Sequence, residues 1–306
     1  MTTADRCTQF IMGLPSAGKT TFLAALWHTA ESGDVEGALV LDRLTGDTSY
    51  ISEIRDNWCD VRPLERTKAA DEQIVSMDLR DPNTDVATTV VFPDLSGESF
   101  QNQWGDRRVE PTHAGILSDA NGIILMIHPG SIRGEALIGD AQLMLNKLEL
   151  EAEADEGDGS GQIGRDAMAS GTANGTPRAW KPTLSPTQVV LVDLLQFVEA
   201  LTTVRPIRLA VVISAWDVLT ATGPQEEPEA WLESQLPLLH QFLRTNGSTF
   251  EYRCYGLSAQ GGPLEDADEL RKITRPSARI ILAEAGHDNS NDITRPVKWL
   301  MESPGE

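Results

Sequence analysis

Residues 13–20 read "GLPSAGKT", and the residues on either side restrict what that octet can be. An apolar run at 9–12 precedes it, and over 19–29 the side chains of Phe22, Leu23, Leu26 and Trp27 recur on one helical face. The order is strand, glycine loop, helix, and in that context G-x-x-x-x-G-K-[ST] is a phosphate-binding loop. Backbone N–H groups of such a loop and the positive end of its helix surround an anion. A lysine reaches the β and γ phosphates, and a hydroxyl meets Mg2+. The pattern assigns Gly13, Pro15, Ser16, Ala17, Gly18, Lys19, Thr20 and Thr21 to a bound nucleoside triphosphate. Lys19 is also a catalytic candidate, and Thr20 is a metal ligand candidate.

The alternation begun there continues along the chain. Strands are expected at 38–44, in "QIVSMDL" and "TTVVFPDL", at 123–127, and in "IRLAVVISAWDVL" and "EYRCYGLSAQGG". Helices are expected at 49–59, in "THAGILSDANG", and at 134–152, 187–203, 231–244 and 296–301. The strand at 123–127 is apolar on both faces, which implies a parallel sheet covered by helices. A three-layer α/β/α fold with a mostly parallel sheet follows, and no internal repeat is present. The 306 residues read as one elaborated domain, 1–306. Residues 153–183 interrupt it, rich in Gly, Ser, Ala and acid and nearly free of large apolar side chains, and are expected to form a flexible low-complexity insert.

Charge and composition narrow the partners. Acidic residues number 46 against 25 basic, a formal charge of -21, with no Lys/Arg cluster to track a phosphate backbone or an anionic leaflet. Nucleic acid and membrane surfaces are therefore not expected partners. The amino terminus has no apolar signal core and no apolar run is long enough to span a bilayer, so a cytoplasmic protein is expected. Cys7, Cys59 and Cys254 have no paired spacing for zinc and fit a reducing compartment. His28, His113, His128, His240 and His287 share no ligand spacing and read as packing or surface residues. The acidic run at 149–158 reads as a solvated helix end.

A second motif answers the first. The strand "TTVVF" delivers Asp94 at its carboxyl end, where open α/β sheets bind ligands, and Asp94 opens "DLSGE". Asp94 is expected to hold Mg2+ through water, and the backbone N–H of Gly97 to swing onto a γ-phosphate and later release it. The spacing from "GLPSAGKT" to "DLSGE" resembles the first and third guanine-nucleotide motifs of translation-factor and Ras-like P-loop GTPases. The element order is similar to theirs if the insert follows the fourth core strand. More narrowly, "GKTTFLAALWH" with "RPVKWL" resembles the bacterial double-GTPase families, which are predicted to act as nucleotide switches in conflict and defence systems.

That resemblance implies GTP or GDP with Mg2+ as ligands, and as partners a second GTPase-like protein and an effector. It also implies a base-selecting N/T-K-x-D motif, and the matching position is "SAWD", 214–217. Asp217 is placed to accept from guanine, but Ala215 stands where a lysine would lie along the base. Trp216 either packs against the base or belongs to the core. The later "LSAQ" is similar to the loop that supports guanine O6, through Ser258 and Ala259. Glu98 occupies the position that orients the attacking water; a carboxylate cannot donate to phosphate, so slow hydrolysis is expected. Thr67 is the candidate to close over Mg2+, ahead of Thr48 and Thr45, and the neighbouring Arg66 is either solvated or turned to the phosphates. An ATPase remains open because of Ala215, and a nucleotide-binding scaffold because of Ala215 and Glu98.

Overall fold

The structure, a computed structural model, describes residues 7–46, 48–64, 74–134, 185–220 and 227–302. Thr67, Arg66, the helix expected at 134–152 beyond its first residue, and the insert expected at 153–183 lie outside the described residues. Packing divides the chain into two units, Met1–Ile132 with Thr187–Glu306, and Arg133–Pro186. Of the second, residues 133, 134, 185 and 186 are described.

In the first unit the strands are β1 (Cys7–Met12), β2 (Val40–Thr45), β3 (Val75–Arg80), β4 (Ala87–Phe92), β5 (Gly122–Ile127), β6 (Ile207–Ser214), β7 (Phe250–Ser258) and β8 (Ile281–Glu284). The helices are α1 (Lys19–Ser32), α2 (Thr48–Cys59), α3 (Glu98–Asp106), α4 (Pro111–Asp119), α5 (Thr187–Leu201), α6 (Trp216–Thr220), α7 (Pro228–Gln235), α8 (Pro237–Thr245), α9 (Ala267–Leu270) and α10 (Arg295–Met301). The sheet order is β2-β3-β4-β1-β5-β6-β7-β8. The five central strands, β4 to β7 in that order, run parallel, while β3, β2 and β8 are antiparallel to their inner neighbours. At the β2 edge the register slips between Leu41 and Arg43, a bulge at Asp42.

Side chains alternate across the central strands, so each face gets its own core. Ile11, Ile124, Met126 and Val212 meet Phe22 and Leu26 of α1, Ile54 and Trp58 of α2, and Val297 of α10. Phe10, Met12, Ile123, Leu125 and Val211 meet Phe100 of α3, Leu117 of α4, Leu191 and Leu194 of α5, and Leu232 and Leu239 of α7 and α8. Every residue of β5 and β6 is buried, as expected of parallel strands covered on both sides. The three-layer α/β/α architecture expected from the alternation is the one found.

Several details differ from the sequence expectation: the strand expected in "IRLAVVISAWDVL" ends at Ser214 and residues 216–220 form α6, and the edge strand β8 was not expected. The single helix expected at 231–244 is two, because Pro237 has no N–H to continue α7 and instead opens α8 at its first position. A further helix, α3, begins at Glu98, in a segment to which no element was assigned from the sequence. Among the described residues no helix is long and apolar enough to cross a membrane.

Candidate nucleotide site

The sheet places β1 between β4 and β5, so connections leave β1 and β5 in opposite directions across it. Such a switch point opens a crevice at the carboxyl ends of the strands. The loops after β4, β1, β5, β6 and β7 converge there and carry the motifs read from the sequence.

The 13–20 loop turns on two left-handed residues, Ser16 at φ 65° and Gly18 at φ 91°, and the Ala17 N–H donates to the Leu14 carbonyl at 3.1 Å. Gly13 lies close beneath β5, since a Cβ there would sit 2.9 Å from the Met126 carbonyl oxygen. No acidic side chain occupies the first turn of α1, leaving its positive end free of a competing carboxylate. Lys19 is 3 % exposed, and its Nζ donates to the carbonyls of Gly13 at 2.7 Å and Leu14 at 3.2 Å. Burial lowers its pKa to about 8, partly opposed by the Asp94 carboxylate. An anion beside Lys19 restores the compensation that burial removed.

Asp94 ends its strand with both oxygens engaged. Oδ1 accepts from Ser96 Oγ at 2.6 Å and the Gly97 N–H at 2.8 Å. Oδ2 accepts from the Ser99 N–H at 2.9 Å and Ser99 Oγ at 2.5 Å. Burial pushes this carboxyl up, but the hydrogen bonds from Ser96, Ser99 and Gly97 together outweigh it and hold the group below the usual carboxylate range. Gly97 therefore directs its N–H inward to Asp94 in this structure. Its α-carbon is pressed on the phosphate loop: at φ 81°, a Cβ would lie 2.6 Å from Lys19 Nζ and 2.7 Å from the Gly13 oxygen. Glu98 is exposed at the start of α3.

Two contiguous cavities of about 290 and 310 Å3 flank the loop, each near the lower limit for a small-molecule site, so that a nucleotide needs both. The first is lined by 15–21 with Leu95, Ser96 and Glu98; the second by Asp217, Ser258, Ala259 and Gln260 among others. Gly18, Thr21, Leu64 and His128 line both. Asp217 is oriented by Ser258, whose Oγ donates to Oδ1 at 2.5 Å and accepts from the Gly261 N–H at 3.1 Å. Ala215 has a left-handed φ of 49°. Trp216 is 2 % exposed, with its indole against Gly256, where a Cβ would approach to 2.3 Å. Of the two roles weighed for this side chain, it fills the core one. Thr45 ends the edge strand β2, three strands from β1, and Thr48 opens α2.

His128 and Arg62 were not singled out by their sequence neighbours. His128 is the first residue after β5, at the switch point, and accepts the Gly130 N–H on Nδ1 at 2.9 Å, which leaves Nε2 to carry the ring proton. Burial lowers its pKa, opposed by the nearby Asp217 charge. Its place directly after a fully apolar strand was the available signal. Among the described residues no group of three or more His, Cys, Asp or Glu is arranged as a metal site. A Mg2+ completed by phosphate oxygens needs only one or two protein ligands, so a buried ionised Asp94 and the Thr20 hydroxyl fit that ion.

The model of one protein family, Double-GTPase 1, matches residues 10–300. The chain belongs to the Double-GTPase 1 family. Solved structures similar to it include bacterial selenocysteine-specific elongation factor EF-Sec (13 % identity, 88 % of this chain and 28 % of that chain, TM-score 0.36). Others are a putative nucleolar GTP-binding protein 1 from Plasmodium falciparum (12 %, 90 % and 87 %, 0.36) and the S. cerevisiae Ski7 GTPase-like domain bound to GTP (13 %, 84 % and 43 %, 0.38). At these scores the likenesses carry no argument; fold and family rest on the sheet order and the family match. The chain spans little more than a quarter of the length of the elongation factor. No curated protein matches it.

Proposed function

We propose that this Double-GTPase family member is a Mg2+-dependent GTP-binding switch that hydrolyses GTP slowly and regulates a protein partner. The observation that carries the reading is the pairing of two cavities along one loop. One has Lys19 at its wall, and the other presents an Asp217 carboxylate fixed by Ser258. Lys19 spends two N–H groups on loop carbonyls, which fixes its ammonium at the phosphate cavity. Asp217 accepts from guanine N1 and N2, a contact adenine does not offer. Thr20 and, through water, Asp94 would hold Mg2+, which would neutralise phosphate charge, and Thr67, outside the described residues, is the candidate further ligand. Glu98, exposed beside the phosphate cavity, accepts from a water without donating to phosphate, and this keeps turnover low until a partner completes the site. Release of Gly97 from Asp94 is the step by which a γ-phosphate reorganises the "DLSGE" segment. In line with the family resemblance, the partners are a second GTPase-like protein and an effector in a bacterial conflict system, and the compartment is the cytoplasm.

Ala215 also supports an ATPase, because the lysine that favours guanine is missing. Titration of fluorescent GTP and ATP analogues with Mg2+ against wild type, Lys19→Ala and Asp217→Ala, followed by phosphate release, separates them. Expected are at least about tenfold tighter GTP, the scale of one bidentate base contact, and loss of that preference in Asp217→Ala. Lys19→Ala loses both nucleotides. Release is expected near the slow intrinsic rates of Ras-like proteins, on the order of 10⁻⁴ to 10⁻³ per second. Equal affinity for ATP that Asp217→Ala leaves unchanged makes the guanine assignment wrong.

A further inference from the structure

The carboxyl end of α2 is fastened to the segment that follows β7. Trp58 Nε1 donates to the Ala259 carbonyl at 3.0 Å, and Gln260 Nε2 returns a bond to the Trp58 carbonyl at 3.3 Å. Arg279 donates to the carbonyls of Trp58 at 2.9 Å and Cys59 at 3.0 Å, and Arg271 to those of Asp60 at 2.8 Å and Val61 at 3.3 Å. Four successive carbonyls at and just beyond the end of α2 thus accept from side chains on the base-loop side of the molecule, that of Trp58 also accepting the Val61 N–H at 3.1 Å.

The chain then turns on Val61 at φ 51°, a conformation that a β-branched residue adopts at a cost of about 1–3 kcal/mol. The turn is closed by the Arg62 N–H on the Asn57 carbonyl at 2.8 Å. What this strained, over-determined turn achieves is position. Arg62 lines the cavity of Asp217 and Ser258 but not the phosphate cavity, and Leu64 lines both.

Another part of the same cavity's wall lacks a long side chain to lie along a base, because residue 215 is alanine. A guanidinium is planar, always charged and stacks on aromatic faces. Among the described residues, that of Arg62 pairs with Asp60 at 3.0 Å, with side-chain exposures of 60 % and 54 %, a contact exchanged at little cost. We propose that Arg62 is a base-binding residue of the nucleotide site, covering the purine face where alanine stands at 215 in place of a lysine. The inference rests on the nucleotide reading above and deepens it.

The test uses the full chain as wild type, Arg62→Ala and Arg62→Lys, each checked for an unchanged unfolding midpoint. A fluorescent GTP analogue is displaced by GTP and, separately, by inorganic tripolyphosphate. Arg62→Ala is expected to weaken GTP about tenfold, the upper range of a cation–π contact, and to leave tripolyphosphate unchanged. Arg62→Lys, with charge but no planar fork, is expected to fall between. Unchanged GTP affinity in Arg62→Ala overturns the proposal, as does an equal loss for tripolyphosphate, which would make Arg62 a phosphate ligand. A wild-type chain that binds neither probe overturns the nucleotide reading itself, before any variant is measured.

Discussion

The glycines divide by what surrounds them. Gly33 and Gly97 both have left-handed φ, 65° and 81°, but a Cβ at Gly33 meets nothing within 4 Å whereas one at Gly97 collides with Leu14, Lys19 and Gly13. Gly33→Ala is therefore expected to cost about 1 kcal/mol from backbone strain alone, and Gly97→Ala about 3 kcal/mol. Denaturant midpoints of the two variants check this; equal losses would mean that the packing of Gly97 on the phosphate loop is not as described. His28 gives the acid side of the stability curve. Its ring packs at a tilt of 47° against Trp58, centroids 5.3 Å apart, with Nδ1 3.4 Å from the Cys59 thiol and Nε2 buried with no hydrogen-bond partner among the described residues. Burial lowers its pKa; Asp34 and Glu31 oppose this, and Arg55 and Arg279 add to it. Below about pH 6.5 the unfolded chain takes up a proton that the folded chain refuses, so this contribution is constant above that pH and stability falls as pH drops below it. In His28→Gln the loss of stability between pH 6.5 and 5 is expected to be shallower, as read from urea unfolding at each pH.

Elements differ in how plainly their sequence announces them. The apolar strands β5 and β6 and the helix α5 were readable because a buried element needs an unbroken or periodic apolar pattern. Helix α3, "ESFQNQWGD", was not, since it is short and polar and buries only Phe100 and Gln103, too small an apolar face to announce a helix. Strand β8 has four residues and takes its place from pairing with β7 rather than from its own composition. The same limit applies to the site. "GLPSAGKT", "DLSGE" and "SAWD" are local patterns, whereas Arg62 reaches its cavity through bonds to residues about 200 positions away. Those bonds can be tested singly. Trp58→Phe loses the bond to Ala259 together with the pyrrole half of a fully buried indole, for about 2–3 kcal/mol. Arg279→Ala, which strips two carbonyls of a 3 % exposed guanidinium, is expected to cost about 3 kcal/mol and to speed amide exchange at 57–62. Exchange there that matches wild type would mean that α2 is held by its apolar face alone.

For the whole molecule, the excess of 21 negative charges sets both solubility and a penalty on compactness. Screening weakens that self-repulsion, so raising NaCl from about 20 to 300 mM is expected to increase the thermal midpoint by a few degrees, the Debye length falling from roughly 20 to 6 Å. A midpoint that falls would show that the ion pairs outweigh the repulsion. The bulge at Asp42 acts at the same scale. The outermost strand has a break in its ladder, and there the Asp42 carboxylate pairs with Arg80 at 2.6 Å. A strand from another copy of the chain would find no continuous row of amides to extend, and would have to displace that ion pair to approach. At the high concentrations where edge-to-edge addition begins fibres in open sheets, this rim is built to refuse the next strand.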